Sequence, residues 1–263
     1  MGEGDPRFAA PEGALKRGLW PTEQARMAIL PFVLFGLAWA ALVAVLVVKG
    51  RAKREARRRA LEGLGFVPCP SESQDLVEQV TRHENDSQYR YRIREPFRTS
   101  LLGKPVWFYE KERARQGKVV AARELRFPLA RPSPDALVLF FKPSALAPGT
   151  TVTRIGSLAT EGWDSQPDDL TRLEIPIDLQ GSNLIGVLGP RGASLYDLID
   201  AKDLATLQPV GDLGVSSVHC RGSWCSFGGH TTRIEIDLEG LWPIVQQLTG
   251  SETTETTEGR SPR

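Results

Sequence analysis

Between Met27 and Val48 the chain reads MAILPFVLFGLAWAALVAVLVV, without one charged residue. At about 1.5 Å per residue, a helix over that run crosses a hydrocarbon core of roughly 30 Å. Lipid offers no hydrogen bonds, so a single run of this kind satisfies its backbone only as a helix. Pro31 falls in the first turn, where a missing N–H costs little. A cleaved signal peptide is the competing reading, prompted by Ala38-Trp39-Ala40. It fits less well, because the apolar run continues to Val48 and the stretch before it is long and mixed in charge.

The flanks set an expected orientation. Before the run, Arg7, Lys16, Arg17 and Arg26 are offset by Glu3, Asp5, Glu12 and Glu23. After it, Lys49, Arg51, Lys53, Arg54, Arg57, Arg58 and Arg59 face only Glu55. Positive flanks stay in the cytoplasm, which predicts an inner-membrane protein with its N-terminus outside and its C-terminal domain inside. The same seven basic residues are candidates for contact with anionic lipid, at about 1 kcal/mol each.

The rest of the chain has ordinary globular composition, 41% hydrophobic and 25% charged overall, which argues against disorder. Arg54 to Phe66 continues the helix, with Gly63 and Gly65 as stop signals. Leu76, Val77 and Val80 form the apolar face of a short helix that Ser73 can cap. Strand signals follow over Pro105 to Tyr109, Lys118 to Phe127 and Leu137 to Phe141, with a turn over residues 113–118. Leu173, Ile175, Ile177 and Leu179 alternate as an edge or bulged strand carrying Pro176. Ser194 and Asp197 stand at capping-box spacing before a helix that Pro209 ends. Val215 to Phe227 reads as a hairpin, Ile234 to Leu238 as a strand, and Leu241 to Leu248 as a final helix with Pro243 in its first turn.

The expected organisation is an N-terminal tail over 1–26, a transmembrane helix over 27–48 and a basic juxtamembrane helix over 49–66. A soluble domain then fills 67–249, with a candidate division into two lobes near 143–170, and a disordered tail covers 250–263. Strands outnumber helices without regular alternation. The fold class is therefore α+β, antiparallel and sheet-rich, with a few short helices.

Candidate chemistry centres on His219, Cys220, Cys225 and His230, the four residues that spacing offers as metal ligands. The order matches no trusted zinc pattern. If Arg221-Gly222 forms a two-residue turn, then Cys220 faces Ser223 and Val218 faces Cys225. Val218, Cys220, Cys225 and Phe227 then share an apolar face, while Ser217, His219, Trp224 and Ser226 share the other. Buried thiols in a core are the leading reading. A Cys220–Cys225 disulfide and a metal site stand as alternatives. The glycine-rich stretch Gly181 to Gly192 lacks P-loop and dinucleotide patterns; Gly189-Pro190-Arg191-Gly192 reads as a turn feeding the helix, with an anion site at Arg191 as the alternative. His83, Glu84 and Asp86 read as a solvated loop. Tyr89 to Arg98 reads as a strand with one solvated face, so nucleic acid is not expected as a partner. No catalytic set and no cofactor is implied.

Three segments carry a resemblance: the membrane helix running into Leu61-Glu62-Gly63-Leu64-Gly65-Phe66, the strand-then-proline segment Leu137 to Pro143, and the stretch Val218 to Trp224. Together they resemble uncharacterised bacterial single-pass membrane proteins with a C-terminal soluble domain. The resemblance implies topology and no mechanism. The sequence thus points first to a membrane-anchored, non-enzymatic cytoplasmic binding or adaptor module with a protein partner. An envelope-facing sensor or assembly domain, and a metal- or thiol-dependent enzyme using Cys220 and Cys225, are the alternatives.

Overall fold

The apolar run folds as part of helix α1, Glu23–Gly63, in a computed structural model that describes residues 23–84, 89–115, 118–142, 169–230 and 235–250. The chain divides into two units, Met1–Ala56 and Arg57–Arg263. In the first unit, residues 34–56 are exposed throughout, Phe35, Trp39 and Leu46 among them. A helix apolar on every side suits lipid rather than water. The Leu34–Gly63 part of α1 is long and apolar enough to cross a membrane.

In the second unit α1 ends at Gly63, and Gly65 takes the left-handed conformation with φ +78°. The Phe66 N–H donates to the Leu61 carbonyl at 2.9 Å and the Gly65 N–H to Glu62 at 3.0 Å, closing the helix end. Leu61 and Phe66 are thereby buried.

One antiparallel sheet of nine strands follows: β1 (Val67–Pro68), β2 (Arg90–Leu101), β3 (Lys104–Arg115), β4 (Lys118–Pro128), β5 (Leu137–Phe141), β6 (Thr171–Leu173), β7 (Leu184–Gly189), β8 (Ser217–Arg221) and β9 (Trp224–His230). Their spatial order is β1-β2-β3-β4-β9-β8-β5-β7-β6. The α+β, antiparallel class expected from the sequence is what the chain adopts. Strands from both sides of residues 143–168 enter this one sheet. The helices are α2 (Ser73–Glu84), α3 (Leu195–Leu198), α4 (Ala201–Leu207) and α5 (Leu238–Thr249).

Period-two alternation gives the sheet two unlike faces. One is the main core: Phe108, Leu125, Phe127, Phe227, Val218 and Leu139 pack with residues of α3, α4 and α5. On the other face, Leu76 and Val80 of α2 pack on Ile93, Trp107 and Tyr109, and a second apolar patch holds Val138, Phe140, Leu170 and Leu188.

Several local expectations give way to backbone chemistry. Only Thr171–Leu173 is strand, at the sheet edge as Pro176 required, while Ile177–Leu179 is a 3-10 turn with Ile177 exposed. The helix expected from Ser194 to Pro209 is two helices. The capping box of Ser194 and Asp197 forms, but Ile199 is extended and Asp200 caps a new start by accepting from the Asp203 N–H at 2.7 Å. Ser73 lies inside the helical region with its hydroxyl donating back to Pro70, so it is not an N-cap. Residues 235–237 are not strand. Asp237 caps α5 instead, accepting from the Gly240 N–H at 3.0 Å, so that helix starts one turn before Leu241 and Pro243 falls in its second turn.

Candidate functional site

Two places concentrate chemistry. One is a closed polar cluster on the α2 side of the sheet. Tyr109 and Lys111 stand two residues apart on β3, and Glu124 and Arg126 two apart on β4 with Glu124 opposite Tyr109, so all four side chains share that face. Lys111 is buried between two carboxylates: its ammonium donates to Glu84 at 2.8 Å and pairs with Glu124. The Tyr109 hydroxyl donates to Glu124 at 2.9 Å. Arg126, also buried, lies 4.9 Å from the Trp224 ring centroid.

Burial opposes each charge here, and the pairing decides the outcome. Burial would lift the Glu84 carboxyl, but the Lys111 ammonium holds it well below the usual carboxylate range. Burial would lower Lys111, yet Glu124 and Glu84 together raise it. Burial and then the neighbouring Glu124 charge push Tyr109 well above 10. His83 is lowered to about 3 by burial and by Arg126, so it is neutral, and its Nε2 has no hydrogen-bond partner among the described residues. The His219 Nδ1 sits 3.9 Å from Glu84, and burial lowers its pKa as well. His83, Glu84 and His219 border a cavity of only about 10 Å³, the scale of one water molecule. Glu84, Lys111, Glu124 and Tyr109 are thus paired with one another beside a space too small for a substrate.

The solvated loop expected around His83 and Glu84 is thus corrected: both residues end α2 and are buried. Asp86 lies outside the described residues. Sequence reading missed Lys111 and Glu124. The available signal was the strand TrpPheTyrGluLys over 107–111, whose inward positions run Trp107, Tyr109, Lys111; a lysine continuing a buried face needs an acid within reach.

The second place is a cleft of about 980 Å³ on the core side of the sheet, within the volume range of small-ligand sites. Leu129, Leu137, Cys220, Cys225 and Leu248 line its apolar part, and Arg131, Asp200, Lys202 and Asp203 its charged part. Leu102 also lines it. With Gly103 it forms the β2–β3 turn, both residues at positive φ, +54° and +74°. That is the signature of a type I′ hairpin turn, which favours Asn-Gly. A leucine there is strained, and its side chain is 60% exposed.

The cysteines meet differently from the expected register. Gly222 has φ +56°, and Arg221 pairs with Trp224, so the turn is Gly222-Ser223. A hairpin turn of this length needs positive φ at its first central residue, which glycine accepts and arginine resists. The shift by one residue puts Cys220 directly opposite Cys225 and Val218 opposite Phe227. The facial division survives: Val218, Cys220, Cys225 and Phe227 are buried together, and His219 lies on the opposite side near Glu84. The Cys220 thiol donates to Cys225 at 3.1 Å, and both are free thiols. Burial and the Cys220 contact raise the Cys225 pKa well above 9. His230 ends β9, with its side chain outside the described residues. Among the described residues, no group of three or more His, Cys, Asp or Glu is arranged to hold a metal.

Of the basic residues, Lys49, Arg51, Lys53, Arg54, Arg58 and Arg59 are exposed. Arg57 is mostly buried and pairs with Glu95 at 3.5 Å and Glu235 at 3.6 Å. Arg191 is exposed in the turn before α3, a helix of four residues.

Neither a protein-family model nor a curated protein matches the chain. Among solved structures, the crystal structure of the mycobacterial trehalose monomycolate transport factor A, TtfA, is similar at 11% identity over 73% of this chain and 88% of that one, with a TM-score of 0.36. A likeness that distant bears no argument about this chain.

Proposed function

We propose that the chain is a membrane-anchored binding module, an adaptor or assembly component rather than an enzyme. Its Arg57–Arg263 unit lies in the cytoplasm and seats a protein partner in the cleft beside Leu102. The observation that carries this reading is Leu102 itself. A leucine in the left-handed region costs about 1–2 kcal/mol, and nothing in the turn recovers that, since the side chain stays exposed. Strain kept at a cleft mouth is the mark of a residue held for contact. The orientation is supported by the basic run after the membrane segment. Lys49, Arg51, Lys53, Arg54, Arg58 and Arg59 are the residues proposed to meet anionic headgroups.

The test is a photo-crosslinking amino acid at Leu102 in the full-length protein in its native membrane, with exposed Ile177 as the control position. A discrete adduct at 102, absent at 177 and lost when Lys202 and Arg131 are neutralised, supports the cleft as the seat. Equal labelling at both positions sinks it, as does steady turnover in a substrate screen. Orientation is read separately by fusing green fluorescent protein or alkaline phosphatase after Arg263. Fluorescence without phosphatase activity supports the cytoplasmic placement.

A second reading, an envelope-facing domain, draws on the direct apposition of Cys220 and Cys225, a register that suits an oxidising compartment. Phosphatase activity in the same fusion would move it to first place.

A further inference from the structure

Cys220 and Cys225 occupy one rung of the β8–β9 ladder. In a two-residue hairpin, the pair next to the turn exchanges hydrogen bonds and the following pair does not. Arg221–Trp224 is the first pair, so Cys220–Cys225 is the second. Pairs of that kind have the closest Cα atoms in an antiparallel sheet, about 4.5 Å, at the near end of the range a disulfide spans. The thiols already touch at 3.1 Å and both border the cleft, Cys220 retaining 7% exposure and Cys225 none. Cys69 is elsewhere: its thiol donates to the Pro96 carbonyl at 3.4 Å, in the cluster under α2.

From this we infer that Cys220 and Cys225 are a covalent modification site, forming a reversible disulfide in the wall of the cleft. The oxidant is a small disulfide of the glutathione class. The Cys220 thiolate, the more exposed of the pair, attacks it, releasing one reduced thiol and leaving a mixed disulfide on Cys220. The Cys225 thiol then loses its proton and attacks the Cys220 sulfur, expelling the second reduced thiol. Two electrons pass to the small disulfide, and two protons leave the protein. Burial makes the Cys225 thiol a weak acid, so the second step is the slower one. The inference concerns the covalent state alone and stands whether or not the cleft holds a partner.

The experiment uses the full chain in mild detergent, fully reduced, then equilibrated with oxidised and reduced glutathione at a series of ratios. Quenched samples are denatured, alkylated and weighed intact, and the bond is mapped by peptide mass. The expected product lacks the mass of two hydrogens, alkylates only at Cys69, and returns to three reactive thiols with excess reduced glutathione. In Cys225→Ser the mixed disulfide at Cys220 persists instead. Three reactive thiols at every ratio would overturn the inference. So would a stable glutathione adduct in the unmutated chain, or a bond that includes Cys69. The unmutated chain decides the matter even if the variant fails to fold.

Discussion

Lys111→Met removes the ammonium from between Glu84 and Glu124 and replaces its bulk with an apolar side chain. Lys111 is 4% exposed, Glu84 8% and Glu124 4%, so water cannot replace the lost partner. Breaking a buried pair by removing one member costs about 3–5 kcal/mol, and that is the loss expected at pH 7. The pH dependence distinguishes this cause from lost packing. In the native chain Glu84 is held below its unfolded pKa, so its contribution is complete above about 4.3 and lost as pH falls through that range. In the variant the sign reverses for Glu84: burial, no longer offset by the Lys111 ammonium, pushes its carboxyl up, and protonation relieves it as pH falls. The difference between variant and native chain should therefore shrink as pH falls from 7 to 5. Denaturant titration of the full-length proteins in detergent, followed by tryptophan fluorescence at pH 7, 6 and 5, reads it directly. A loss under about 1 kcal/mol, or one constant across pH, would refute the reasoning. Adding Glu84→Gln and Glu124→Gln should restore most of the loss, because a neutral set has no charge to strand.

Histidine 83 gives a second acid signature. With an unfolded pKa near 6.5 and a folded value of about 3, its neutral burial is fully favourable above 6.5 and opposed by protonation of the unfolded chain below it, amounting to about 2 kcal/mol between pH 7 and pH 5. His83→Gln should flatten that slope, and a slope unchanged in the variant would assign it elsewhere. Leu102→Asn should raise the unfolding midpoint by relieving the turn while weakening crosslinking from a neighbouring cleft position; a fall in stability would show the turn is not strained. Asp237→Ala should cost about 1 kcal/mol by uncapping α5, read as a lower denaturation midpoint. Gly229→Ala should cost about 1–3 kcal/mol, since its Cβ would meet Ile236 at 2.6 Å and the Gly214 carbonyl at 3.0 Å; wild-type stability would mean Ile236 moves freely.

Where the sequence spoke in strong periods, it was legible. The uninterrupted apolar run, the α1 stop at Gly63 and Gly65, the β3–β4 pair and the β8–β9 hairpin all follow from local pattern. It was misleading where tertiary contact decides a short element. Ile234 to Leu238 alternates like a strand, yet Asp237 offers a cap to α5. Leu195 to Leu207 reads as one apolar face, yet Asp200 interrupts it with a better local hydrogen bond. The polar cluster was hidden for another reason. Glu84 and Lys111 stand 27 residues apart and Glu124 a further 13, so their association exists only in the register of folded strands. The cysteine pairing turned on one residue of turn chemistry, which decides every partner in the hairpin.

The ladder that completes the sheet joins Ala122 to His230. Synthesis adds about 5–20 residues per second, so once β4 has emerged, roughly 5–20 seconds pass before β9 is available to cover it. Throughout that interval the growing chain carries an open strand edge. Arg123, Glu124 and Arg126 lie along that edge, and charge on an unpaired strand discourages the wrong neighbour. Glu124 and Arg126 are buried in the finished protein, yet on the uncovered edge the same charges disfavour a wrong neighbour while the chain is still incomplete.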